Sequence, residues 1–222
     1  MAEKVRLLAF DTSSPACSVA LLDTAKPAGE QILSLHKIMP MQQGKLILPM
    51  INTILSSSFL TLHDLDAIAY GRGPGSFTGI RIASSVAQGL GLATKCRLIP
   101  ISSLAAIAQT AYLEQQWAYL LVALDARMGG VYWAQYKVNQ LGLVELIGRE
   151  EVSAPETVGM PENTNNWYGV GDGWEKYNLG IQPKATNSKL LPTAQAILSL
   201  ARVKFEQGEW VKANEAVPVY LR

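Results

Sequence analysis

The chain has 222 residues and a mass of 24.1 kDa, long enough for one large domain or two small ones and for a substantial core. Charged residues make up only 17% of it, against a usual figure of about 25%, which fits a surface partly covered by a partner. The net charge of +1 argues against a strongly basic nucleic-acid-binding face, so any RNA is expected to be held by another chain.

No apolar stretch reaches the roughly 20 residues of a membrane span. Met1 to Phe10 places Glu3, Lys4 and Arg6 ahead of only a short apolar run, so a cytoplasmic location and no membrane contact are expected. Cys17 and Cys96 lie far apart and form no C-x-x-C pair; they read as small buried hydrophobes rather than a disulfide or a thiolate cage.

In chain order, Val5 to Phe10 and Cys17 to Leu22 are apolar runs on either side of Asp11-Thr12-Ser13-Ser14-Pro15, which predicts two strands joined by a turn. Ile32 to Lys37 adds a third strand antiparallel to the second. Between Gln43 and Ser57 the residues Leu46, Ile47, Met50, Ile51, Ile54 and Leu55 recur at helical spacing, with Pro49 expected to weaken or kink the first turns. Asp66 to Tyr70 is a short strand. A glycine loop, Gly71-Arg72-Gly73-Pro74-Gly75-Ser76-Phe77-Thr78-Gly79, follows it and opens into a helix from Thr78 to Ala93.

Arg97 to Pro100 predicts another strand, closing an N-terminal α/β subdomain at residue 102, and Ser103 to Tyr112 another helix. Tyr119 to Leu124 and Val131 to Val138 enclose a second acidic, glycine-containing turn, Asp125 to Gly130, so residues 103–222 are expected to form a second subdomain built like the first. Ser153 to Ser188 reads as loop-rich, with one strand from Trp167 to Val170 ahead of Gly171-Asp172-Gly173-Trp174. The final helix, Thr193 to Gln207, is free to pack back on the first half.

Two readings of the glycine loop stay open. Gly73 and Gly75 permit close backbone approach, and the helix behind them offers unpaired N–H groups, a geometry that suits phosphate. The loop lacks the lysine of G-x-x-x-x-G-K-[ST], however, and the same residues serve a tight strand-to-helix connection capped by Ser76 or Thr78. Asp11 and its hydroxyl-bearing neighbours are likewise either a metal–phosphate turn or ordinary turn formers. Ala83, Ala87 and Gly91 repeat every four residues, which lets another helix approach closely, from this chain or from a second subunit. His36 and His63 make no H-x-x-x-H pair and no G-x-S-x-G elbow exists, so neither metal nor nucleophilic catalysis has a constellation.

Leu8-Ala9-Phe10-Asp11-Thr12-Ser13-Ser14 with Ala16 to Leu21, and Tyr70 to Arg81, closely resemble the bacterial TsaB (YeaZ) family. Leu124 to Gly129 with Val131-Tyr132-Trp133-Ala134, Gly171 to Trp174, and Pro218 to Arg222 extend the resemblance to nearly the whole chain. It implies an actin-like (sugar kinase/Hsp70) α/β fold of two related subdomains. It also implies a non-catalytic subunit that pairs with the enzyme TsaD and, with the ATPase TsaE, supports transfer of threonylcarbamoyl from its adenylate, made by TsaC, to adenosine 37 of tRNA.

By the same resemblance the two histidines that hold the metal of TsaD fall on Ser103 and Ile107, which cannot replace imidazoles, so no metal and no catalytic residue are expected. The pairing surface falls on the helices Gln43 to Ser57 and Thr78 to Ala93, with Leu46, Met50, Ala83 and Ala87 as expected contacts to TsaD or to a second copy. Many relatives carry histidine where this chain has Gln43. No cofactor of its own is expected, and ATP and tRNA only through the complex. The rival reading is an independent ATP-binding enzyme that uses Asp11, Gly73, Gly75, Ser76 and Asp125 around nucleotide and Mg²⁺.

Overall fold

A computed structural model describes residues 4–159, 161 and 166–221; Met1, Glu3 and Arg222, named above, lie outside the described residues. Strands β1 (Arg6–Asp11), β2 (Ala16–Asp23) and β3 (Ile32–Ile38) form an antiparallel meander. After helix α1 (Gln43–Ser57), β4 (Ala67–Gly71) and β5 (Arg97–Ile101), linked by α2 (Phe77–Thr94), extend the sheet in parallel to the order β3-β2-β1-β4-β5.

Helix α3 (Ser103–Gln115) leads to a second sheet. Its strands β6 (Tyr119–Arg127), β7 (Gly130–Val138) and β8 (Val144–Ser153) again form an antiparallel meander. Strands β9 (Tyr168–Val170) and β10 (Ala185–Asn187), with the single turn α4 (Gly173–Lys176) between them, extend it in parallel. The order β10-β9-β6-β7-β8 thus repeats the first sheet, the doubled α/β topology of the actin-like fold.

Period-two alternation decides which face each strand residue serves. Leu8, Phe10, Val19 and Leu21 point into a core shared with Ile47, Met50, Ile51 and Ile54 of α1 and with Ala83 and Ala87 of α2. Leu7, Ala9, Ala20 and Leu22 face the other way, against Ala194, Ile197, Leu198 and Ala201 of helix α5 (Ala194–Glu206). Strand β2 is therefore buried along all 8 of its residues. In the second sheet, Leu120, Val122, Ala134 and Tyr136 pack on α3, while Leu121, Ala123 and Trp133 are covered by Trp167, Leu179 and Ile181 rather than by a long helix.

A chain of polar contacts runs from the first sheet through α5 and α3 to the second sheet. The Ala194 N–H donates to Ser18 Oγ at 2.9 Å, and the Thr193 N–H donates to Thr110 Oγ1 at 3.2 Å. Gln109, itself buried, donates to Gly142 O and accepts from the Val144 N–H, each at 2.9 Å. Tyr136 OH donates to Glu150 at 2.7 Å, and Glu150 lies 3.8 Å from the Arg72 guanidinium at the end of β4. Residues 211–221 strap back onto the first half. Val211 bridges Leu98, Gln88 Nε2 donates to Ala216 O, and the Val219 N–H donates to Arg72 O.

The expected elements are present, with differences. Helix α1 runs continuously through Pro49, whose position costs one backbone hydrogen bond without ending the helix. Strands β8 and β10 and the turn α4 fall in stretches that the sequence left unassigned or read as loop. Half of β8 is exposed, and it is rich in Glu and Arg, so it carries no alternating pattern to find.

Candidate functional site

Between the two sheets lies a cleft of about 580 Å³ whose walls include Ser13, Gly75, Ser76, Ile80, Leu124, Asp125, Asp172, Leu190 and Tyr220. The structure thus brings Gly75, Ser76 and Asp125 together there, whereas Asp11 and Gly73 do not line it.

The glycines of the loop serve chain-to-chain contact. A Cβ on Gly75 would lie 2.6 Å from Ser13 O, one on Gly79 would overlap Thr12 O, and Gly73 has φ of 99°. That closeness lets the Ser76 N–H donate to Ser13 O at 2.8 Å and Thr12 Oγ1 donate to Gly79 O at 2.7 Å. The Ser103 N–H donates to Gly73 O at 2.9 Å, and Ser76 Oγ caps α2 by accepting from the Gly79 N–H. The Ser76 N–H and the Gly79 carbonyl are thus committed to the β1–β2 turn.

The two acidic strand ends occupy equivalent places in the two sheets but differ in chemistry. Asp11, last residue of β1, is buried, and its carboxylate accepts from the Ser13 N–H and hydroxyl at 2.9 Å with no cation beside it. Burial pushes its pKa up to about 6 against the lowering effect of Ser13. Gly71 on the adjacent strand leaves room for this carboxylate, since a Cβ there would overlap Asp11 Oδ2.

At the end of β6, Asp125 accepts from Lys176 Nζ at 2.7 Å and from Tyr177 OH and the Arg127 N–H at 2.8 Å. Burial would raise its pKa, yet these hydrogen bonds prevail and hold it down at about 2. Lys176 Nζ also donates to Asp172 at 2.8 Å, so an ammonium occupies the space between two carboxylates where a divalent cation would otherwise be attractive. Lys176 and Tyr177 were not foreseen; they lie about 50 positions from Asp125, and only tertiary structure brings them together.

Other residues singled out from the sequence fall as follows. Gln43 is buried and donates through Nε2 to Ser14 O at 2.8 Å, tying the start of α1 to the β1–β2 turn. Ile107 packs inside the second core, and Ser103 is buried beside it on α3. Among the described residues, no three His, Cys, Asp or Glu side chains gather as metal ligands. Burial and the nearby Asp11 push the Cys17 thiol up to about 12, out of nucleophilic range at neutral pH. Burial lowers the pKa of His36, on edge strand β3.

The four expected partner contacts need correction. Met50, Ala83 and Ala87 are buried in the chain's own core and Leu46 is half-buried against it, because the small-residue row of α2 is what lets that helix settle onto β4 beside Phe10 and Tyr70. The outward face of the two helices is instead a shallow groove lined by Gly44, Phe77, Thr78, Arg81, Ile82, Ser85 and Val86, flanked by exposed Leu48 and Leu92.

Comparison with known proteins places the whole chain. The family model of TsaD, tRNA N6-adenosine threonylcarbamoyltransferase, matches residues 41–204. The tRNA threonylcarbamoyladenosine biosynthesis protein TsaB of Escherichia coli is 39% identical, with 98% of this chain and 95% of that protein covered. Its namesake in Haemophilus influenzae is 40% identical over 99% and 94%. The solved structure of YeaZ from Pseudomonas aeruginosa superposes with a TM-score of 0.90 at 43% identity, covering 98% of this chain and all of that one. With end-to-end identity and a shared doubled-sheet architecture, this chain belongs to the TsaB (YeaZ) family.

Proposed function

We propose that the chain acts in tRNA threonylcarbamoyladenosine biosynthesis as a non-catalytic subunit. It pairs through its α1–α2 face with a TsaD-type enzyme, beside a TsaE-type ATPase, in the transfer of threonylcarbamoyl to adenosine 37 of tRNA. The names of its relatives supply the process. The observation that carries the non-catalytic part is the state of the cleft, where Lys176 lies 2.7 Å from Asp125 and the buried carboxylate of Asp11 is closed over by Ser13. A divalent cation between Asp125 and Asp172 would have to displace that lysine.

The partner part is supported by an apolar groove on two neighbouring helices, of the kind that another helical surface can cover. In this reading the subunit works in the cytoplasm, binds no cofactor of its own, and meets ATP and tRNA within the complex. Among the described residues no helix is long and apolar enough to cross a membrane.

The test is tRNA threonylcarbamoylation with purified TsaC, TsaD and TsaE, ATP, threonine and bicarbonate, with and without this chain. Modification is expected only when it is present, and equal modification in its absence would refute the role. A second reading, an independent ATP-binding enzyme, is favoured only by the size of the cleft. Titration calorimetry of the chain alone with Mg·ATP separates the two, since micromolar binding with turnover would support the enzyme.

A further inference from the structure

Helices α1 and α2 contain no Asp or Glu; their only charged side chains are Lys45 and Arg81, both exposed. Acidic groups on the short turns beside α2 are engaged elsewhere, Asp64 with Thr61 and Arg6 and Glu215 with the Lys212 N–H, and Asp125 and Asp172, in the cleft that Phe77 and Tyr220 also line, are held by Lys176. Arg81 is also held in place. Its guanidinium carbon lies 3.4 Å from the centroid of the Phe77 ring, and its Nε–H donates to Tyr220 OH at 2.9 Å. One of five N–H donors is thereby used and the terminal ones remain open. Among the described residues no carboxylate pairs with Arg81 or with Arg97, which lies over Phe205 and Trp210 away from α1 and α2, whereas Arg6, Arg72, Arg127, Arg149 and Arg202 all have acidic partners.

We propose that this face selects a helical partner surface bearing a carboxylate in preference to a second copy of the chain, and that Arg81 reads the carboxylate. The proposal rests on the pairing surface put forward above. A two-fold pairing of identical faces brings together two helix pairs whose only charges are cations, so neither copy's α1 or α2 offers Arg81 an acid. A partner carboxylate instead meets a fork already fixed by Phe77 and Tyr220, so little side-chain freedom is lost on binding. An arginine beside an apolar groove also has the composition of an interface hot spot.

The two pairings respond to salt in opposite directions. Raising salt from about 0.1 M to about 1 M shortens the screening length from about 10 Å to about 3 Å, which weakens attraction across the mixed pair and relieves repulsion across the like pair. Sedimentation of the full chain, alone and with purified TsaD, provides the test for wild type, Arg81→Gln, Arg81→Lys and Ser85→Trp, with thermal melts to confirm folding.

Arg81→Gln is expected to weaken the mixed pair by roughly 10-fold or more, to flatten its salt dependence, and to leave self-association equal or stronger. Arg81→Lys recovers only part of the loss, because an ammonium lacks the planar fork. Wild-type affinity with an unchanged salt slope in Arg81→Gln overturns the proposal. If Ser85→Trp then abolishes pairing, the α1–α2 surface stands without its arginine reader. If Ser85→Trp also pairs normally, the surface itself is refuted along with the proposal.

Discussion

Asp11 shows how much one buried group can decide. Its carboxyl titrates near 6 in the fold against 3.8 ordinarily, because burial outweighs the hydrogen bonds from Ser13. An acid whose folded pKa is raised contributes most below its unfolded pKa and loses that contribution as pH rises through the folded one. Asp11→Asn removes the charge that must be buried while Ser13 can still pair with the amide. The expected gain in unfolding free energy at pH 8 is about 1–3 kcal/mol, falling toward zero near pH 4, read from urea midpoints at both pH values. The turn holding Asp11 was legible as an acidic strand end, but its burial was not, since nothing local in Asp11-Thr12-Ser13-Ser14 says that Gly75 and Gly79 close over it. Lys176 was illegible for the same reason.

Among the elements, α2 uses its small residues in two ways. Gly79 and Ala87 face the chain itself, whereas Gly89 has open space where a Cβ would stand. Gly89→Ala should therefore stabilise by about 0.5–1 kcal/mol through helix propensity. Gly79→Ala, which forces a methyl into Thr12 O, should cost upward of about 3 kcal/mol, and thermal melts of the two variants will diverge in sign. Ala87→Glu buries an unpaired charge and is expected to unfold the chain rather than to report on partner binding. Strongly periodic elements such as α1, α2 and α5 were readable from sequence because a single face of each meets a core. Strand β8 was not, because its hydrogen bonds to β7 depend on backbone pairing while the five consecutive residues Glu145 to Arg149 are exposed and break any alternation. The small-residue row of α2 was found correctly, but its direction was not, since one row of alanines suits an internal sheet as well as an external helix.

For the molecule as a whole, α3 and α5 are the joints. Gln109 ties α3 to the second meander, Thr110 ties α3 to the start of α5, and Ser18 ties α5 to the first sheet. Circular dichroism and the fluorescence of the five tryptophans, four of them about the second sheet and Trp210 beside Arg97 of the first, should follow one unfolding transition. Gln109→Leu, which strands the Gly142 carbonyl and the Val144 N–H, should lower both probes together by about 2–4 kcal/mol. The doubled topology was legible as two strand–turn–strand patterns, whereas the return of the chain's end to its beginning was open until the structure showed α5 against Leu7, Ala9 and Ala20. That return sets an order of events during synthesis. The first sheet is complete in sequence at Ile101, yet the helix that covers its second face begins only at Ala194. At about 5–20 residues per second, the ribosome takes roughly 5–20 s to supply those ~90 residues, and throughout that interval the nascent chain carries an uncovered apolar sheet face.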